Sequence, residues 1–261
     1  MIKVLVIGGG GFIGFHTSNF LISNGFEVDI IDNFSRGTKD KSILKLAKSK
    51  QLNIIDSDIS DINLDNISKE YDYIYHFAAI VGVDNVLSRP YDVLVKNFIL
   101  LEKAIEIGQI QKDLKRFLFT STSEVYAQTL KNFGLEFPTP ESTPLTVGSP
   151  FEKRTTYLLS KIYGEAMCNF SDIPFTIFRP HNFYGPRMGN SHVIPQLINK
   201  IYQASDKIDI YTPLHTRTFC YIDDAIQIMT RLAELNSTNK GYFNIGNEKN
   251  EISMLDLANI I

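Results

Sequence analysis

The stretch Lys3-Val4-Leu5-Val6-Ile7-Gly8-Gly9-Gly10-Gly11-Phe12-Ile13-Gly14 decides the fold. Its apolar, mostly β-branched opening predicts a buried strand over 3–7. The glycines allow a tight turn. Phe12, Ile13, Phe15, Phe20 and Leu21 then recur at helical spacing, and Gly8, Gly11 and Gly14 lie three apart. Backbone without Cβ atoms lets a pyrophosphate approach. The first amides of a following helix point at it with the positive end of the dipole. A glycine run by itself reads equally well as a flexible turn. A strand before it, a helix after it and an acid at the right distance favour a dinucleotide site.

The acid is Asp32, which ends the apolar run Glu27-Val28-Asp29-Ile30-Ile31. It lies about 20 residues on from the glycines, as a contact to the ribose hydroxyls requires. A carboxylate there repels a 2′-phosphate, so NAD is expected over NADP, and Asn33 joins the expected cofactor contacts. Arg36 pulls the other way, because an arginine near this position can accommodate a 2′-phosphate.

The chain has 261 residues, enough for one large α/β domain with a small lobe. Its net charge of −3 gives no global argument for nucleic acid or an anionic membrane. Cys168 and Cys220 lie far apart and, like the five histidines, lack metal-ligand spacing. No metal is expected. Reduced cysteines and the lack of a signal-peptide pattern suggest a cytoplasmic protein.

Strand patterns near 3–7, 27–31, 52–55, 73–77, 116–120 and 174–178 alternate with helix patterns near 12–24, 40–49, 91–108 and 156–170. That alternation predicts an α/β fold with a doubly wound parallel sheet and right-handed crossovers. Ligands then bind at the carboxyl ends of the strands. The remaining motifs fall at those ends. Asp58-Ile59 follows the third strand, as a turn cap or an adenine contact. Phe77-Ala78-Ala79 ends the fourth, where small residues admit either a flat cofactor or tight helix packing. Asn97 interrupts an apolar helix, and a buried Asn needs partners. Thr120-Ser121-Thr122-Ser123-Glu124 ends the fifth strand, as a polar pocket wall or a solvated turn.

Tyr157 and Lys161 lie one helical turn apart on one face. A free tyrosine titrates near 10, too high for a base at neutral pH. An ammonium one turn away stabilises the phenolate. Bringing it near 7 takes about 4 kcal/mol.

At this point the chain resembles an extended short-chain dehydrogenase/reductase of the nucleotide-sugar epimerase/dehydratase/decarboxylase kind. The resemblance is carried by Gly8-x-x-Gly11-x-x-Gly14, Asp32, His76-x-Ala78-Ala79, Asn97, Thr122 with Val125-Tyr126, and Tyr157-x-x-x-Lys161. It continues through Arg179-Pro180-His181-Asn182-Phe183-Tyr184-Gly185-Pro186-Arg187, Arg217-x-Phe219-x-Tyr221-Ile222-x-Asp224 and Asn244-Ile245-Gly246. Ile7, Gly10 and Ala127 depart from the commonest residues of that pattern without removing a catalytic group.

The resemblance implies a Rossmann-type domain over 1–179 and a mainly donor-binding lobe over 180–261, interleaved with the first. It implies NAD as cofactor and a nucleoside-diphosphate sugar as substrate. Tyr157 is then the base, Lys161 holds the nicotinamide ribose and tunes Tyr157, and Thr122 bonds the sugar hydroxyl. Gly8, Gly11, Phe12, Ile13, Gly14, Asp32, Asn33, Asp58, Ile59, Phe77, Ala78, Ala79, Asn97 and Lys161 are the expected cofactor contacts. Asn182, Arg187 and Arg217 are the expected substrate contacts. The planar fork of Arg217 suits a diphosphate, with a surface salt bridge as its plain alternative.

Hydride leaves C4 as Tyr157 takes the hydroxyl proton, and the resulting 4-keto sugar decides the outcome. C4 epimerisation is the first expectation, and 4,6-dehydration or C6 decarboxylation the second. Glu124 is the discriminating residue: Thr-Ser-Glu at this place resembles decarboxylases and GDP-mannose-type dehydratases. Ser123 stands where a glucose-type dehydratase carries an Asp. Arg154 is placed either to meet a substrate carboxylate or to cap a loop. A non-catalytic NAD-binding regulator is the reading of another class, and the intact Tyr157, Lys161 and Thr122 set argues against it. The resemblance also implies a homodimer, and further turns beyond Ile261, where a helical pattern stops midway.

Overall fold

The computed structural model describes residues 1–204 and 206–261. In chain order the elements are β1 (Lys3–Ile7), α1 (Phe12–Ser23), β2 (Glu27–Asp32), α2 (Lys41–Leu46), β3 (Leu52–Asp56), β4 (Tyr73–His76), α3 (Val83–Ser88) and α4 (Pro90–Gln109). Next come β5 (Arg116–Thr120), α5 (Ala127–Phe133), α6 (Thr155–Asn169), β6 (Phe175–Pro180), β7 (Phe183–Tyr184) and α7 (Val193–Gln203). The chain ends with β8 (Thr216–Arg217), β9 (Cys220–Tyr221), α8 (Ile222–Glu234), β10 (Gly241–Ile245), β11 (Ile252–Ser253) and α9 (Met254–Ile260). The elements read from the sequence fall within a few residues of these bounds.

A seven-stranded parallel sheet has the order β3-β2-β1-β4-β5-β6-β10. Strand β1 lies inside it, pairing Val4 with Val28 on one side and with Tyr73 on the other. Val4 to Ile7 are fully buried, because a parallel strand between two helical layers has no wet face. Side chains alternate between those layers. Val4 and Val6 join Ile226 and Met229 of α8. Leu5 and Ile7 join Leu101 and Ala104 of α4. The strand order reverses between β1 and β4, which opens a crevice at their carboxyl ends.

The seventh strand, β10, was not legible in the sequence. It is an edge strand with Tyr242 partly exposed, so its run Gly241-Tyr-Phe-Asn-Ile carries only a diluted apolar signal. The segment after residue 179 therefore returns β10 to the main sheet and α8 to its α1 face. What lies apart is a small lobe whose core joins Leu197 of α7 to Met254 and Leu257 of α9, with β8 and β11 paired antiparallel beside it.

Candidate active site

The glycine turn is built by close backbone approach. Gly8 has φ +86°, and a Cβ there would lie 2.7 Å from the Ala78 amide nitrogen. A Cβ on Gly14 would lie 2.2 Å from the Gly8 carbonyl oxygen. Glycine is thus required at both positions, and the small residues after β4 are explained by the same contact. Gly11 N-caps α1 without a side-chain cap or an acid in the first turn. Its first amides keep their capacity to bind an anion.

Asp32 closes the turn. Its Oδ2 accepts from the Gly10 amide at 2.8 Å and its Oδ1 from the Phe34 amide at 2.7 Å. Asn33 donates to Asp58 at 2.7 Å, and Asp58 caps the turn that follows β3. Ile59 faces the core instead of the crevice. Phe12 and Ile13 pack partly buried against the α1 side of the sheet. Phe77 and Ala78 both donate their amides to the Ile7 carbonyl, and half-buried Ala79 follows.

Helix α6 brings the catalytic candidates to the same crevice. Lys161 is buried, and its ammonium donates to the Thr120 carbonyl at 2.7 Å. Burial lowers its pKa to about 8. Asn97 of α4 accepts from the Ile80 amide at 2.6 Å and donates to the Ser160 hydroxyl at 3.3 Å. Ser160 in turn donates to the Tyr157 carbonyl at 2.7 Å. This link between α4 and α6 was missed in the sequence; its only signal is Ser160 at i+3 from Tyr157.

The phenol corrects one expectation. Burial and the nearby Glu124 carboxylate push the Tyr157 pKa up, while the Thr122 hydroxyl and the Arg36 guanidinium draw it down. Lys161 does not dominate, because its ammonium lies 6.0 Å from the ring centroid and turns to the Thr120 carbonyl. Desolvation of the phenol outweighs a charge placed that way. Arg36 was read only as a 2′-phosphate contact, and no sequence spacing relates it to Tyr157. The fold alone brings the two into range.

Thr122 starts the turn over Ser123–Tyr126 and accepts from the Glu124 amide at 3.3 Å. From this turn Glu124 acts on the phenol through its charge. Burial raises its pKa, and the Arg154 guanidinium opposes that rise. A carboxylate, a guanidinium and a phenol thus influence one another electrostatically at this end of the sheet.

The three expected substrate contacts separate. Arg217 on β8 is exposed, with its guanidinium donating to its own strand at Thr216 O. Asn182 has φ +45° and donates to Thr218 O at 3.0 Å, which ties its segment to the residues before β9. Arg187 is drawn off to the cofactor side. It pairs with Asp40, donates to Gly10 O and Thr38 O at 3.3 Å each, and stacks 4.1 Å from the Phe15 ring centroid. Its fork is engaged by these protein groups on the cofactor side.

With this geometry in place, similarity to known proteins is decisive at the family level. The model of the NAD-dependent epimerase/dehydratase family matches residues 4–246. The chain belongs to that family. Family members are NAD-dependent enzymes of nucleotide-sugar metabolism. The chain is 30% identical to UDP-N-acetyl-alpha-D-glucosaminuronate decarboxylase of Bacillus cytotoxicus, over 98% of this chain and 78% of that protein. It is 29% identical to UDP-glucuronic acid decarboxylase 1 of Arabidopsis thaliana, over its whole length but only 58% of the relative. The solved UDP-glucuronic acid 4-epimerase from Bacillus cereus, in complex with UDP-glucuronic acid and NAD, superposes with a TM-score of 0.83. Identity there is 28%, with 98% of this chain and 80% of that one covered.

The residues present fit the family cofactor. The Gly8–Gly14 cradle excludes side chains, the α1 amides suit a diphosphate, and Asp32 offers a carboxylate for ribose hydroxyls. Lys161 and Asn97 shape the far end. Among the described residues no His, Cys, Asp and Glu grouping could hold a metal ion, and no helix is long and apolar enough to cross a membrane.

Proposed function

We propose that the enzyme decarboxylates a UDP-uronate at C6 through a 4-keto intermediate. One observation carries this reading: the Glu124 charge acts on the Tyr157 phenol, and Arg154, which caps the Tyr157 helix, acts on Glu124. A uronate brings a carboxylate to C6. Arg154 offers it a matching charge, and desolvation, which raises Glu124, favours its protonated form.

Tyr157 would take the proton of the C4 hydroxyl once the positive charge of a bound nicotinamide offsets the desolvation that raises the phenol, and Thr122 orients that hydroxyl. NAD, which the Gly8–Gly14 cradle, Asp32 and Lys161 would hold, would supply the acceptor and later donor of the C4 hydride. The C5–C6 bond then breaks, its electron pair moves onto the C4 ketone as an enolate, and CO2 leaves. Glu124 delivers a proton to C5, and Tyr157 returns its proton to O4. Lys161 holds the nicotinamide ribose, and Arg217 clamps the diphosphate.

The names of the decarboxylases similar to this chain support the reading. C4 epimerisation, the first expectation from sequence, remains the second reading, with a uronate as its substrate because of the Bacillus cereus neighbour. The test is incubation with UDP-glucuronate, UDP-N-acetylglucosaminuronate and UDP-glucose, following CO2 and the sugar product. Release of CO2 with a UDP-pentose is expected from a uronate. A C4 epimer without CO2 overturns decarboxylation in favour of the second reading. Glu124→Gln is expected to cut CO2 release at least about 100-fold. We also propose a homodimer through α4 and α6, whose outer faces expose Ile99 and Tyr163. Light scattering checks it, and a monomer refutes it.

A further inference from the structure

We propose that Arg187 is a positioning residue that couples the donor lobe to the cofactor turn. Its guanidinium reaches two segments far apart in the chain from it: the glycine turn at Gly10, and the loop between β2 and α2 at Thr38 and Asp40. Asp40 also accepts from the Ser42 and Ile43 amides, and the bond from Arg187 holds its carboxyl below the usual range. Two other side chains tie residues 33–40 to the end of β3, Asn33 to Asp58 and Lys39 to Asp56, while the remaining bonds are largely local, as from Phe34 to Asp32 and Ser35 to Asn33. At Gly37 a Cβ would lie 2.6 Å from the Gly10 carbonyl carbon, so this loop rests directly on the glycine turn. Arg187 clamps the two together from the third side.

The other end of the clamp is the donor lobe. Arg187 lies six residues before α7 begins, and the preceding Pro186 accepts from the His16 ring at 2.9 Å on α1. The segment is strained. Arg187 has φ +69°, its Nε is buried without a partner, and Gly185 has φ +152°. Left-handed backbone at a side-chain-bearing residue and an unpaired buried donor both cost stability. A contact that served stability alone would not accumulate such costs, whereas a device joining two binding loops does.

The consequence is thermodynamic. Fixing the loop over 33–40 improves the cofactor site, and fixing the segment before α7 improves the donor site. One guanidinium does both, so each ligand tightens the other by the same factor. The inference rests on the dinucleotide site and not on which reaction follows.

Calorimetric titration with NAD and with UDP tests it on wild type, Arg187→Met, Asp40→Asn and the double variant. In wild type, saturating NAD is expected to tighten UDP by about tenfold. Arg187→Met is expected to weaken NAD by about tenfold and to reduce the mutual tightening to within about twofold of none. Asp40→Asn keeps the cap acceptor, and is expected to weaken NAD by about fivefold. The double variant should be no worse than Arg187→Met, since both remove one pair. Three results overturn the proposal: absence of mutual tightening in wild type, its survival in Arg187→Met, or a lowered Tm with both affinities unmoved. Should Arg187→Met fail to fold, Asp40→Asn with wild-type NAD affinity and tightening overturns it instead. A protein that keeps the coupling yet releases no CO2 sinks the decarboxylase reading and leaves the clamp standing.

Discussion

The two ends of the crevice are built in opposite ways. At the cofactor end, the working groups are backbone atoms of one contiguous stretch, Gly8 to Gly14, seated on a strand buried from Val4 to Ile7. At the donor end, Arg217 and Asn182 come from short strands and turns, are exposed, and rest on one or two bonds each. Rigid backbone suits a ligand held through every turnover. Sparse side chains on loops suit a substrate that must enter and leave.

Substitutions at each end should break or sharpen this contrast. Tyr157→Phe, between the ends, should lower kcat by about 1,000-fold while NAD content and Tm stay near wild type. Gly14→Ala should be the most damaging change at the cofactor end. Its Cβ would meet the Gly8 carbonyl at 2.2 Å, and backbone cannot yield as a side chain can. Loss of co-purifying NAD is expected, with a stability loss of about 2 kcal/mol in denaturant titration. Arg217→Ala should raise the donor KM by about tenfold to 100-fold and leave NAD affinity unchanged, since only charge-assisted bonds to the diphosphate are lost. Matching losses of both ligands would erase the contrast at that residue.

The smallest effect concerns pH. His76 is buried, stacks beside Phe117 and Phe119, and is pushed down to about 3 by burial and by the Lys161 charge. The folded state therefore binds fewer protons than the unfolded chain between pH 6.5 and 3. Stability from this group is present above the unfolded pKa and is lost as pH falls. About 1 kcal/mol should disappear between pH 6.5 and 5.5. His76→Phe should flatten that slope, measured by chemical denaturation at each pH.

Arg179 illustrates how far motif reading reaches. Its place within Arg179-Pro180-His181-Asn182 was legible. Its bonds to Glu165 at 2.6 Å, to the Tyr126 hydroxyl and to the Glu141 carbonyl were not. Those partners lie 14 to 53 residues away in the chain. Arg187 is the sharper case. The same motif suggested a substrate contact, yet its left-handed backbone aims the side chain at Asp40, 147 residues earlier.

The sequence by itself determined the parallel α/β sheet, the glycine cradle with Asp32, and the turn of helix that carries Tyr157 and Lys161. Each of these is a periodicity or a spacing within one or two neighbouring elements, and local backbone geometry enforces it. Only the tertiary structure decided that Arg36 and Glu124 bear on the phenol, that Arg187 serves the cofactor turn, and that β10 completes the sheet. Those outcomes depend on distances between segments far apart in the chain, which packing sets and no local pattern encodes.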